Sequence, residues 1–133
     1  MHTGSCLCGK IKFEVTGEIP PMHACHCSIC RKASGHYGVG ADVSRDALTI
    51  YGEENIKWFQ TSDWARRGFC ATCGTPLFFD PIDKKIGWTG VSMGAFDKPT
   101  NTKMTMHIFT KDKGDYYEIV DGLPQHEQAP LRS

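Results

Sequence analysis

Seven cysteines in three tight clusters constrain this 133-residue chain more than any other feature. They fall as Cys6-Leu7-Cys8, as Cys25-His26-Cys27-Ser28-Ile29-Cys30, and as Cys70-Ala71-Thr72-Cys73. Seven thiols cannot complete two four-thiolate metal sites, which need eight. A disulfide framework would leave one thiol over and would need an exported protein. The residues after Met1 (His2-Thr3-Gly4-Ser5) lead into no apolar run of a signal peptide, so the expected compartment is the cytoplasm. Closely spaced thiols in a reducing compartment are more often metal ligands or catalytic groups than disulfides. One metal site is then expected to be short of a ligand, and that is where chemistry is sought.

Spacing sorts the thiols into two sets. In Cys70-Ala71-Thr72-Cys73-Gly74 a tight turn aims both sulfurs at one point, and the glycine lets backbone donors approach them. Cys6 and Cys8, at i and i+2, share one face of a strand and can do likewise. Joined, the two pairs make a closed four-cysteine zinc site that ties the first strand to a segment far along the chain, offsetting a large loop-closure entropy. A structural zinc of this kind supplies roughly 10–16 kcal/mol in small peptides.

Cys25, Cys27 and Cys30 remain, with no fourth cysteine. Structural zinc is closed, whereas catalytic zinc keeps a position for water or substrate. Three thiolates leave a divalent cation formally at −1, a weak Lewis acid suited to a soft ligand such as a substrate thiolate rather than to making hydroxide. Arg31 and Lys32, directly after the cluster, offset the added negative charge. Two other arrangements stay open on spacing alone. Cys27 and Cys30 with Cys70 and Cys73 would make an ordinary zinc ribbon, and His23, His26 or His36 would close the three-cysteine site. His26, between two ligand cysteines, is expected to point away from them. His107 is expected to be a satisfied, partly buried histidine, and Trp58, Trp64 and Trp88 to be core. Arg66-Arg67 reads as a solvated edge, or as a basic pair gripping a carboxylate.

The rest of the chain reads as short strands. Ile11, Phe13 and Val15 alternate with charged neighbours, and Pro20-Pro21 ends that strand. Strands are expected over 22–26, 37–43, 48–51, 56–59, 66–69, 76–80, 86–91, 105–109 and 116–120, with one helical turn over 28–33. No apolar pattern of period 3.6 is sustained over ten residues, so the expected fold is all-β: small packed antiparallel sheets stapled by zinc, with at most short helical turns. A single zinc-binding β domain is expected over 1–124, followed by a loose polar tail over 125–133. Fifteen basic residues balance fifteen acidic ones, which gives no pull toward nucleic acid or an anionic membrane, and no stretch is long and apolar enough to span one.

The order Gly4-Ser5-Cys6-Leu7-Cys8-Gly9, Cys25-His26-Cys27-Ser28-Ile29-Cys30-Arg31-Lys32 and Phe69-Cys70-Ala71-Thr72-Cys73-Gly74 resembles the glutathione-dependent formaldehyde-activating enzyme family, which includes centromere protein V-like domains. The resemblance extends to Gly90-Val91-Ser92-Met93, His107-Ile108-Phe109 and Tyr117-Glu118-Ile119-Val120-Asp121-Gly122-Leu123-Pro124. It implies a β-tent fold with two zinc ions. Cys6, Cys8, Cys70 and Cys73 would hold the structural ion, and Cys25, Cys27 and Cys30 the catalytic one. It also implies a carbon–sulfur lyase that joins formaldehyde to glutathione or a similar small thiol. The competing expectation is a non-catalytic zinc module acting as thiol carrier or protein-interaction domain.

Overall fold

The computed structural model describes residues 1–129. The described chain is mostly β. In order it forms β1 (His2–Ser5), β2 (Lys12–Val15), β3 (Met22–Cys25), the helix α1 (Ser28–Ser34), β4 (Gly38–Ser44) and β5 (Leu48–Tyr51). Then come β6 (Ile56–Gln60), β7 (Ala65–Cys70), β8 (Pro76–Pro81), β9 (Trp88–Ser92) and β10 (Met104–Ile108). The residues divide into two compact units, Met1–Pro20 with Gly40–Thr102, and Pro21–Val39 with Lys103–Ser133. Among the described residues no helix is long and apolar enough to cross a membrane.

In the first unit β2 lies between β1 and β5, antiparallel to both, with Phe13 opposite Gly4 and Ile50. A second antiparallel run in the same unit takes the order β4-β9-β8-β7-β6. The alternation read in the sequence is the reason β2 sits where it does. Ile11, Phe13 and Val15 are buried and their polar neighbours face out, so a one-residue slip would put the whole apolar set in water. Phe13 meets Phe78 and Phe96 edge-on, at ring-centroid distances of 5.9 and 5.1 Å. Asp80, at the end of β8, is buried against Arg45, Arg66 and Lys84 at 2.6, 2.8 and 3.2 Å. Burial alone would raise its carboxyl, but those three donors hold it below the usual carboxylate range.

The second unit pairs β3 with β10 in parallel, setting His107 beside Ala24 and Ile108 beside Cys25. The rest of the strand pairing described here is antiparallel, as expected. Several local expectations need correction. Residues 116–120, expected as a strand from their aromatic and β-branched content, lie outside the described strands. Tyr117 gives its carbonyl to Lys113 Nζ at 2.6 Å instead of to a ladder. Trp64 is 50% exposed rather than core, and Trp58 and Trp88 are only half-buried. The polar tail assigned to 125–133 is hydrogen-bonded over its first residues: Gln125 bridges His107, His126 N donates to His107 O at 2.9 Å, and Phe109 N donates to Gln128 O. Residues 130–133 of that tail lie outside the described residues.

Candidate metal centres and their surroundings

The first unit gathers Cys6, Cys8, Cys70 and Cys73 into one group whose sulfurs all lie within 4.8 Å of one another. Cys6 and Cys8 flank the turn after β1, and Cys70 ends β7 where the next turn begins. The two turns use the same device. Ile11 N donates to Cys6 Sγ and Cys73 N to Cys70 Sγ, each at 3.4 Å, while Gly9 N and Gly74 N close back on the carbonyls of Cys6 and Cys70. Thr75 adds a hydroxyl 3.2 Å from Cys73 Sγ, and with its backbone pulls that thiol down to about 5. Tetrahedral metal–sulfur bonds of about 2.3 Å put sulfurs about 3.8 Å apart. The Cys6–Cys8 and Cys8–Cys70 sulfurs are 3.6 and 3.7 Å apart. The donor set fits a metal ion.

The second unit gathers Cys25, Cys27 and Cys30, again with all sulfurs within 4.8 Å. Cys25 ends β3, Cys27 caps the N-terminus of α1, and Cys30 lies in its first turn with its N–H 3.3 Å from Cys27 Sγ. A cap needs an extended backbone and a side-chain acceptor, and Cys27 supplies both, with φ −65° and ψ 162°. The Cys25 and Cys30 thiols hydrogen-bond to Cys27 and drive it down to about 2, while the same contacts push Cys25 far above the usual thiol range. Three sulfurs this close cannot all ionise without a cation among them, so this set also fits a metal ion. Gly38 packs against this group: a Cβ there would lie 3.3 Å from Cys30 Cβ and 3.5 Å from its sulfur.

The structure thus separates the two sets and overturns the ribbon arrangement of Cys27 and Cys30 with Cys70 and Cys73. Among the described residues no histidine joins the three-cysteine group. His26 stays out of the three-cysteine group as expected, and its ring is buried. Its Nδ1 meets the Tyr117 hydroxyl, its Nε2 lies 2.9 Å from His107 Nδ1, and His107 Nε2 lies 2.7 Å from Asp121 Oδ2. Burial, reinforced by the charge of His107, brings His26 down to about 4, so its ring is neutral at pH 7. The Leu123 N–H and then His107 hold Asp121 below the usual carboxylate range, so it is an acceptor. His107 Nε2 faces the Asp121 carboxylate as its donor, and the two imidazoles share one hydrogen bond between His107 Nδ1 and His26 Nε2. The Tyr117 hydroxyl closes the other end of the chain at His26 Nδ1. This chain braces the residue between two cysteines. His26 N also donates to Ile108 O at 3.0 Å.

Tyr117, Asp121 and Thr75 carry parts of these sites that spacing did not single out. No local pattern marks the first two, which lie 91 and 95 residues from His26 (117 − 26 and 121 − 26). Thr75 follows a Cys-x-x-Cys-Gly turn directly, and that adjacency was the available signal.

A mostly β chain with one four-cysteine and one three-cysteine group, each able to hold a metal ion, is a metal-site β protein. Residues 1–112 match the family model described as glutathione-dependent formaldehyde-activating enzyme, and the chain belongs to that family. A Halomonas elongata protein, assigned provisionally by name as a glutathione-dependent formaldehyde-activating enzyme, is 33% identical over 87% of this chain and 79% of its own. A Schizosaccharomyces pombe protein named an uncharacterized lyase is 26% identical over 90% and 86%. A crystal structure of a Rhodobacter sphaeroides protein shares the fold with a TM-score of 0.62 and 23% identity, over 77% of this chain and 99% of that one.

Proposed function

We propose that this protein is a zinc-dependent carbon–sulfur lyase that holds a small thiol, glutathione or one like it, and makes or breaks its adduct with formaldehyde or a similar aldehyde. The observation that carries the reading is the inequality of the two cysteine groups. Cys6, Cys8, Cys70 and Cys73 offer four thiolates and are the structural zinc site. Cys25, Cys27 and Cys30 offer three among the described residues, with the nearby His26 ring committed to Tyr117 and His107. Zinc bound at the three cysteines supplies a Lewis acid that lowers the pKa of an incoming thiol and keeps its sulfur in place. Three thiolate donors make the centre electron-rich, which favours a soft sulfur ligand over hydroxide.

The chemistry is an addition without oxidant. The thiol sulfur forms a bond to the aldehyde carbon, the carbonyl oxygen takes a proton, and the reverse step breaks the same bond and returns the proton. Cys25, Cys27 and Cys30 position the sulfur. The chain from Tyr117 through His26 and His107 to Asp121 holds the ligand loop still, so that the sulfur is presented in one orientation. The family membership and the names of the relatives support this class of reaction. The cytoplasm, where thiols stay reduced, is the compartment in which it would work.

Titration calorimetry of glutathione into zinc-loaded protein tests the reading, with Cys27→Ser beside the wild type. Binding that depends on Cys27 is expected. No binding to the wild type, or equal binding to both, would leave a zinc module as the better account.

A further inference from the structure

We propose that Arg31 is a carboxylate-binding residue beside the three-cysteine group, which makes the site selective for small thiols that carry a carboxylate. This deepens the preceding reading and rests on it.

Arg31 lies four residues after Cys27, and its N–H donates to Cys27 O at 2.8 Å in the first turn of α1. Helical side chains lean toward the N-terminus. That is the end of α1 at which Cys27 and Cys30 meet, and Arg31 follows Cys30 directly. Its Nε is buried and has no hydrogen-bond partner among the described residues. The ion pairs found there, those of Asp80 with Arg45, Arg66 and Lys84 and of Asp121 with His107, do not include it. A buried guanidinium N–H without an acceptor is rare and costly in a folded protein, and it marks where an acceptor belongs.

The neighbouring lysines do not duplicate such a carboxylate site. Lys32 is exposed, and the Lys113 ammonium is used by the carbonyls of Gly114 and Tyr117 at 3.1 and 2.6 Å. Asp121 is engaged by His107 and by the N–H of Leu123. The Arg31 charge does reach the interior of this unit, where it acts against the rise that burial gives the Tyr117 phenol. A ligand carboxylate at the three-cysteine group would supply that acceptor. Arginine takes carboxylate through a planar fork, which a lysine cannot match. A thiol whose sulfur sits at the three cysteines and whose carboxylate reaches Arg31 is held at two points. That fixes its orientation as well as its affinity.

A simpler role for Arg31 would be to offset the charge of three thiolates, in which case it would strengthen every thiol alike. Two probes separate the roles, 3-mercaptopropionate and the neutral 3-mercaptopropanol, each titrated calorimetrically into the zinc-loaded full chain. In the wild type the acid should bind more tightly than the alcohol. In Arg31→Gln its Kd should rise at least tenfold, the loss expected for a charge-assisted hydrogen bond, with the alcohol within about twofold of wild type and zinc content unchanged. An equal shift for both probes, or no shift for the acid, overturns the proposal while leaving the thiol site standing. Failure of both probes to bind the wild type overturns the thiol site and the proposal together. Should Arg31→Gln lose zinc, Arg31→Lys decides. It keeps the charge and loses the fork, so the acid must still weaken while the alcohol does not, and any other result overturns the proposal.

Discussion

Replacing His107 with leucine tests whether the buried hydrogen-bond chain is what holds the three-cysteine loop. The side chain is 4% exposed, so leucine refills much of the space without new contact to water. It takes away the partner 2.9 Å from His26 Nε2 and the donor 2.7 Å from Asp121 Oδ2. These losses are unequal. Asp121 keeps 40% of its side-chain exposure and is solvated by water in place of His107. His26 Nε2 is left buried without a hydrogen-bond partner, which costs roughly 1–3 kcal/mol. The net expectation is a loss of about 2 kcal/mol, or roughly 8 °C in Tm for a chain of this size. Asp121→Asn keeps a carbonyl acceptor for His107 and should cost less than His107→Leu. Urea unfolding at one fixed excess of zinc, followed by tryptophan fluorescence, measures both. Cobalt substitution gives the second readout, because a loosened Cys25–Cys30 loop should change the thiolate charge-transfer band of that site alone. If His107→Leu costs no more than Asp121→Asn and leaves that band unaltered, the chain is not what braces the loop.

Serine at Cys6, Cys8, Cys70 or Cys73 should abolish folding, whereas serine at Cys25, Cys27 or Cys30 should cost one zinc ion from a folded protein. Metal analysis and circular dichroism of the seven variants decide this, and like behaviour of the two groups would refute it. Asp80, with its folded pKa below the unfolded value of about 3.9, contributes stability that is complete above that pH and lost as pH falls through the folded value. Asp80→Asn should therefore flatten the acid limb of a stability–pH profile, and it should cost about 3 kcal/mol at pH 7 by leaving Arg45 without its partner. Gly4→Ala would put a Cβ 2.3 Å from Phe13 Cζ and 2.4 Å from Ala95 O. A shift of the backbone against the core follows, and thermal unfolding should show a loss of about 1–3 kcal/mol.

Local regularities were legible in the chain because they depend on neighbours. Alternation placed Ile11, Phe13 and Val15 inward on one face, since a strand turns each successive side chain to the opposite side. Residues 116–120 misled for the complementary reason. Strand composition needs a ladder partner to become a strand, and here Tyr117 spends its hydroxyl on His26 and its carbonyl on Lys113. Trp64 misled because a large apolar residue is no guarantee of burial.

By itself the sequence determined that seven thiols come as short-range sets, each small enough to aim its sulfurs together, and that they cannot fill two four-cysteine sites. Only the tertiary structure decided which sets share a site. Cys8 and Cys70 are 62 residues apart and their sulfurs are 3.7 Å apart, a closeness set by strand register and not by anything near either residue. The pairing of His26 with His107, 81 residues away, was decided in the same way. Spacing settles what a turn or a helical face can reach. Partners distant in the chain are chosen by which registers bury the apolar faces and leave no buried donor unmet.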